Sequence, residues 1–164
     1  MKTGWVMVIC IIFSASAVMA ETAVKGTVTN KSNVEKSANM ALGEGAKANM
    51  GSVRMKNSAI DGTVTNNSNV KESANMALGK GATANMGSVT MQGSAVKGTV
   101  TNKSNVEKSA NMALGEGATA NMGSVTLQNS KVDGTITNQA NVKQSANMAL
   151  GKGAEANMGS VVAE

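Results

Sequence analysis

"TVTNKSNVEKSANMALGEGAKANMGSV" (residues 27–53) recurs in near-copy three more times along a chain of 164 residues. Val24, Ile60, Val96 and Val132 open successive copies, so the period is 36 residues and the units are 24–59, 60–95, 96–131 and a slightly shorter 132–164. A fixed period of this size signals a stacked-repeat architecture, because one such unit cannot bury its apolar face alone. Within the first unit the residues alternate. Lys25, Thr27, Thr29, Lys31 and Asn33 fall on one face of an extended chain, and Val24, Gly26, Val28, Asn30, Ser32 and Val34 on the other. After a turn at "EKS" (35–37), Ala38, Met40 and Leu42 make a second inward set. "GEG" (43–45) bends the chain again. Ala46, Ala48, Met50 and Ser52 then point inward with Lys47 outward, and a last arm around 54–59 keeps Met55 inside. Four arms of about nine residues result, each of strand length.

The reading is all-β: a repetitive β-solenoid built from 36-residue repeats, with two coils of about 18 residues per repeat and one large coil as the alternative. Two coils would set equivalent positions about 9.6 Å apart, and one coil about 4.8 Å. A helix competes at "SNVE" (32–35), which has the form of a capping box. That box becomes "SNVK" (68–71) and "ANVK" (140–143), and a helix so short nucleates poorly. Strands are preferred.

The differences between copies are orderly. One position reads Lys25, Asp61, Lys97, Asp133; a second reads Glu35, Lys71, Glu107, Lys143. A third reads Lys36, Glu72, Lys108, Gln144, and a fourth Glu44, Lys80, Glu116, Lys152. Identical stacked copies would place like charges in a column, whereas alternation places opposite charges side by side. Repeats one and three are more alike than repeats one and two, so duplication of a diverged pair is the competing origin of this pattern.

Residues 1–20 read as a secretory signal peptide. Lys2 supplies the positive start, "WVMVICIIF" (5–13) the apolar stretch, and "AVMA" (17–20) the small residues of a cleavage site after Ala20. The apolar run is too short to span a bilayer comfortably. The remainder, 21–164, is then a single repeat domain with no expected membrane span. Trp5, Cys10 and Phe13 all precede the cleavage site, leaving no aromatic, cysteine, histidine or proline beyond it. Removing Lys2 takes the 15 Lys and Arg to 14 against 10 Asp and Glu, a net charge of +4. With Arg54 the only arginine and nothing to stack on a base, nucleic acid is not an expected partner.

Catalytic chemistry has little to work with, since the usual general bases and thiol nucleophiles are missing and the carboxylates turn to lysine in the next copy. No catalytic, metal or cofactor site is expected. Thioethers can bind Cu(I), but Met55 and Met91 become Leu127 and Ala163, as a packing residue can and a sulfur ligand cannot. The asparagines are more suggestive. Asn30, Asn66, Asn102 and Asn138 recur in register, as do Asn39, Asn75, Asn111 and Asn147, and Asn49, Asn85, Asn121 and Asn157. Stacked amides can form hydrogen-bonded ladders along the axis. Asn30 lies on the inward face, where a turn is poorly placed, so the "NKS" sequon (30–32) would be a poor glycosylation acceptor.

These Asn-rich, Gly-punctuated repeats resemble those of secreted bacterial fibre-forming proteins of the curli type. "ALGEGAKA" (41–48) is similar to repeats in the heads of trimeric autotransporter adhesins. The "TVT" (27–29, 63–65, 99–101) and "TIT" (135–137) rows resemble the faces of ice-binding β-solenoids. The first two resemblances imply a surface-exposed solenoid working outside the cell. The expected function is a secreted structural protein that assembles head to tail into amyloid-like fibres, as a biofilm matrix or surface coat. Asp133 would approach Lys25 of the next copy, Lys143 its Glu35, and Lys152 its Glu44. The expected partner is the chain itself, with a nucleator or secretion partner. The alternative is a cell-surface adhesin or binding module, with ice binding behind it.

Overall fold

The computed structural model describes residues 17–20 and 23–163. Most of the signal-peptide assignment, residues 1–16, therefore lies outside the described residues; Ala17–Ala20 form strand β1. Coil one comprises β2 (Ala23–Glu35), β3 (Ala38–Leu42), β4 (Lys47–Met50) and β5 (Val53–Lys56). Coil two has β6 (Ala59–Lys71), β7 (Ala74–Leu78), β8 (Thr83–Met86) and β9 (Val89–Gln92). Coil three has β10 (Ala95–Glu107), β11 (Ala110–Leu114), β12 (Thr119–Met122) and β13 (Val125–Gln128). Coil four has β14 (Lys131–Lys143), β15 (Ala146–Leu150), β16 (Glu155–Met158) and β17 (Val161–Ala163). The chain is a parallel β-solenoid of about 4 turns.

Equivalent strands of successive coils pair in parallel and form four sheets, β2-β6-β10-β14 being the longest arm and β1-β5-β9-β13-β17 the last. The register is one repeat per step: Val28 pairs with Val64, Val64 with Val100 and Val100 with Ile136. Each 36-residue repeat is thus one large coil, not two of about 18 residues. The arms are also unequal, at 13, 5, 4 and 4 residues, rather than about nine each. The physical reason lies in the first arm. Strand pairing continues without a break from Ala23 to Glu35, with Val24, Val28, Asn30, Ser32 and Val34 buried, so nothing folds the chain back within it, and the tight corners all follow it, from Lys36 onward.

Those corners share one construction. Lys36, Gly45, Gly51 and Asn57 sit at φ 49, 65, 60 and 50, in the left-handed region that reverses the chain locally. A serine follows three of them. Ser37, Ser52 and Ser58 donate their Oγ–H to the carbonyls of Glu35, Met50 and Lys56, each at 3.0 Å. Each column also ties coil to coil. The N–H of Ser37 donates to Ser73 Oγ, that of Ser58 to Ser94 Oγ, and that of Ser88 to Ser52 Oγ, each at 3.2 Å.

The Gly51 corner is special because it turns into the molecule. A Cβ there would lie 2.9 Å from Ser32 Oγ on the inner face of the long arm, and one at Gly87 would lie 3.0 Å from Ser68 Oγ. The interior is accordingly divided. One lobe packs Val24, Val28, Val53 and Met55 with their copies. The other packs Val34 and Met50 with theirs, and leads into a seam of alanines.

That seam reverses the expected frame of the second arm. In coil two it is Asn75 and Ala77 that are buried, while Met76 and Leu78 point outward. Met40 and Leu42 are 62% and 69% exposed, so Ala38, Met40 and Leu42 are not an inward set. The gap between β7 and β8 admits only the alanines Ala77, Ala82 and Ala84, all fully buried. Asn75 Nδ2 spans it, donating to the carbonyls of Ala48 and Asn85 at 3.0 Å. A methionine or leucine is too large for that space, and it would leave those carbonyls unpaired.

Candidate assembly surfaces

The one-coil register brings each asparagine column to adjacent strands. Asn30 Nδ2 donates to Asn66 Oδ1 at 2.8 Å, Asn66 to Asn102 at 2.8 Å and Asn102 to Asn138 at 3.0 Å. This ladder is buried at the neck between the core lobes, where Asn138 Nδ2 also donates to the Ser160 carbonyl at 3.1 Å. The Asn39, Asn75, Asn111, Asn147 ladder runs in the same sense, at 3.1, 2.8 and 2.9 Å. The Asn49, Asn85, Asn121, Asn157 ladder runs in the opposite sense: Asn85 donates to Asn49 at 2.8 Å, Asn121 to Asn85 at 3.0 Å and Asn157 to Asn121 at 3.1 Å. A fourth ladder joins Asn33, Asn69, Asn105 and Asn141 on the outer face of the long arm, at 2.8, 2.9 and 2.9 Å. The sequence placed Asn33 on the outward face without pointing to a role for its column. Its signal was the same register as the other three.

The charge columns lie on adjacent strands as well. Lys25 pairs with Asp61, Asp61 with Lys97 and Lys97 with Asp133; Glu35 pairs with Lys71, Lys71 with Glu107 and Glu107 with Lys143. At the Glu44 corner, Lys80 Nζ lies 3.9 Å from Glu116 in the next coil, with both side chains largely exposed. The spacing between charges is therefore about 4.8 Å of axial rise, well inside the screening length of about 8 Å at physiological salt. The expected 9.6 Å would have left these pairs near that length.

The two ends of the stack differ. Met122 and Val125 in coil three are fully buried, whereas Met158 and Val161, which continue their columns, are 45% and 50% exposed. Coil four thus presents an apolar end, and its β14, β15, β16 and β17 edges carry no further strand among the described residues. At the other end Asn30 Oδ1 is buried and makes no hydrogen bond. A register step of 36 residues would bring Asn138 of a stacked copy to it. The same step brings Asp133 to Lys25, Lys143 to Glu35, Lys152 to Glu44 and, beyond those named from sequence, Glu155 to Lys47.

The inward Gly51 corner also leaves a groove outside, between the β4-β8-β12-β16 and β5-β9-β13-β17 sheets. Its floor holds Thr90 and Thr126, whose hydroxyls donate to Asn85 Oδ1 and Asn121 Oδ1 at 3.3 Å. Its coil-one end is basic. Partial burial and the nearby Arg54 and Lys56 hold the Lys47 ammonium below its ordinary pKa, and burial lowers Arg54. Among the described residues no group of three or more His, Cys, Asp or Glu is placed to hold a metal, and no helix is long and apolar enough to cross a membrane.

Comparison of the chain with protein-family models, with curated proteins and with solved structures finds no match. The fold and its repeat register are the ground on which function is read.

Proposed function

We propose that this chain is a secreted structural protein whose solenoids stack head to tail into extracellular fibres, forming a matrix or surface coat. The observation that carries the reading is the fourth-coil end. It is apolar at Met158 and Val161 and open along four strand edges among the described residues. Open parallel edges template the addition of further strands. Stacked in register, four charged positions on that end meet opposite charges on coil one, and Asn138 reaches an amide oxygen that has no partner. A heterologous contact of this kind repeats without closing, which gives a filament. Placement outside the cell rests on the signal-like residues 1–20.

Assembly kinetics test the reading. The triple variant Lys25→Asp, Glu35→Lys, Glu44→Lys puts like charges across each junction and should lengthen the lag of fibre growth severalfold at low salt, with the difference shrinking as salt rises. Equal growth of variant and parent across a salt series would rule out charge-matched stacking.

A second reading, ice binding, gains from the register. Thr27, Thr63, Thr99 and Thr135 form one column, and Thr29, Thr65, Thr101 and Thr137 another, with a Thr-x-Thr pair on every coil. Flanking Lys25 and Lys31 are exposed and strongly hydrated, which works against a flat, dry face. Thermal hysteresis of the monomer decides this: a freezing gap favours ice binding, and its absence removes that reading.

A further inference from the structure

The outer face of the β3-β7-β11-β15 sheet is apolar on every strand, where an Ala-x-Met-x-Leu pattern points outward. Met40 and Leu42 are 62% and 69% exposed, and Met148 and Leu150 are 41% and 50% exposed. Charged corners border it on both sides. Lys36 and Glu44 flank coil one, Glu72 and Lys80 coil two, and Lys108 and Glu116 coil three. In each of these three coils the two flanks carry opposite signs, and coil four carries neutral Gln144 with Lys152.

We infer that this face docks against the same face of a second copy, with the two solenoid axes parallel and related by a two-fold axis running between them. Such a rotation reverses the strand direction and keeps the coil level. The start of each strand then meets the end of its counterpart: Lys36 faces Glu44, Glu72 faces Lys80, and Lys108 faces Glu116, on both edges of the contact. A slip by one coil puts Lys36 against Lys80 and Glu72 against Glu116, so the charges fix the register by repulsion as well as attraction. The methionines and leucines supply an adaptable dry contact between the charged borders.

The area of the face sets when pairing occurs. Five residues at about 3.3 Å by four strands at about 4.8 Å give roughly 320 Å² per copy. A stable interface needs about 800 Å² from each partner. One pair of single chains falls short, and about three stacked copies reach it. The inference rests in this respect on head-to-tail stacking: lateral pairing is a property of the filament.

Mass per length of unstained filaments, measured by dark-field electron microscopy, tests it. Wild-type filaments should carry two chains per four-coil rise. The variant Met40→Thr, Met76→Thr, Met112→Thr, Met148→Thr keeps strand propensity, removes the central methionine column of the apolar face, and should halve the value. A second variant inverts one flank: Glu44→Lys, Lys80→Glu, Glu116→Lys, Lys152→Glu. It changes only corner residues and preserves alternation along its own column, yet it faces like charges across the pair and should also halve the value. Adding Lys36→Glu, Glu72→Lys and Lys108→Glu should restore the doubling. Wild-type filaments of single-chain mass, or a doubling untouched by either variant, would overturn the pairing. If no filament forms at all, head-to-tail stacking fails by itself. Sedimentation equilibrium near millimolar concentration then decides the pairing: a wild-type dimer lost in the methionine variant upholds it, and monomers throughout overturn it.

Discussion

The same side chain is worth different amounts in different columns of this molecule, because water competes for some hydrogen bonds and not for others. Asn66 gives and receives one amide bond in the buried ladder. Asn66→Ala would leave Asn30 Nδ2 and Asn102 Oδ1 unpaired inside the core, at a cost of about 2–4 kcal/mol. Asn69 also gives and receives one, but on the outer face, where water can replace both. Asn69→Ala should cost about 1 kcal/mol or less. Urea denaturation of the two variants checks the contrast, and equal losses would mean that burial does not set the value of a ladder. Ser68 behaves in the opposite way. Its hydroxyl is buried without a partner, as are those of Ser32 and Ser104, and coil four carries Ala140 in that column. Ser68→Ala should raise stability by about 1 kcal/mol, read as a higher urea midpoint with an unchanged slope.

At the scale of the strand, backbone contact between coils decides what is allowed. The long arm passes through a glycine column at Gly26, Gly62, Gly98 and Gly134, where the carbonyl of one coil faces the Cα of the next. A Cβ at Gly98 would overlap the Gly62 carbonyl oxygen, and φ there is 132. Backbone cannot yield as a side chain can. Gly98→Ala should therefore destabilise by about 3 kcal/mol or more, splitting the stack into halves that melt separately by calorimetry. The short arms follow a different constraint. Between β7 and β8 the alanine seam fixes which face of "ANMAL" turns inward, and the larger residues are left outside as a consequence.

For the molecule as a whole, the important feature is an edge already in use. β1 lies on β5 with Ala17 paired to Val53, Val18 to Arg54 and Met19 to Met55. By the register of β13 with β17, Val161, Val162 and Ala163 of a stacked copy would take those same three places. Residues 17–20 and a second copy therefore compete for one edge. Cleavage after Ala20 should clear it, so protein beginning at Glu21 should nucleate fibres faster than the uncleaved chain at equal concentration. Light scattering of the two forms measures this, and identical lag times would count against β5 as an assembly edge.

What the sequence determined by itself was periodic. The 36-residue repeat, the alternation from Val24 to Val34, the inward Asn30 column and the swap of charges between copies are all legible as spacing, because a solenoid maps one axial step onto one fixed offset in sequence. The corners were half legible: a left-handed residue followed by serine recurs as "KS", "GS" and "NS", but the hydroxyl's link to the neighbouring coil needs the stack in place. Coil size and the facing of the second arm were decided only in three dimensions. Both depend on distances between segments that are not neighbours in sequence. The inward Gly51 corner presses on Ser32, the alanine seam closes against β4, and the space that remains excludes Met40 and Leu42 from the core. Alternation states that successive residues point opposite ways; which way is inside depends on what stands across the gap.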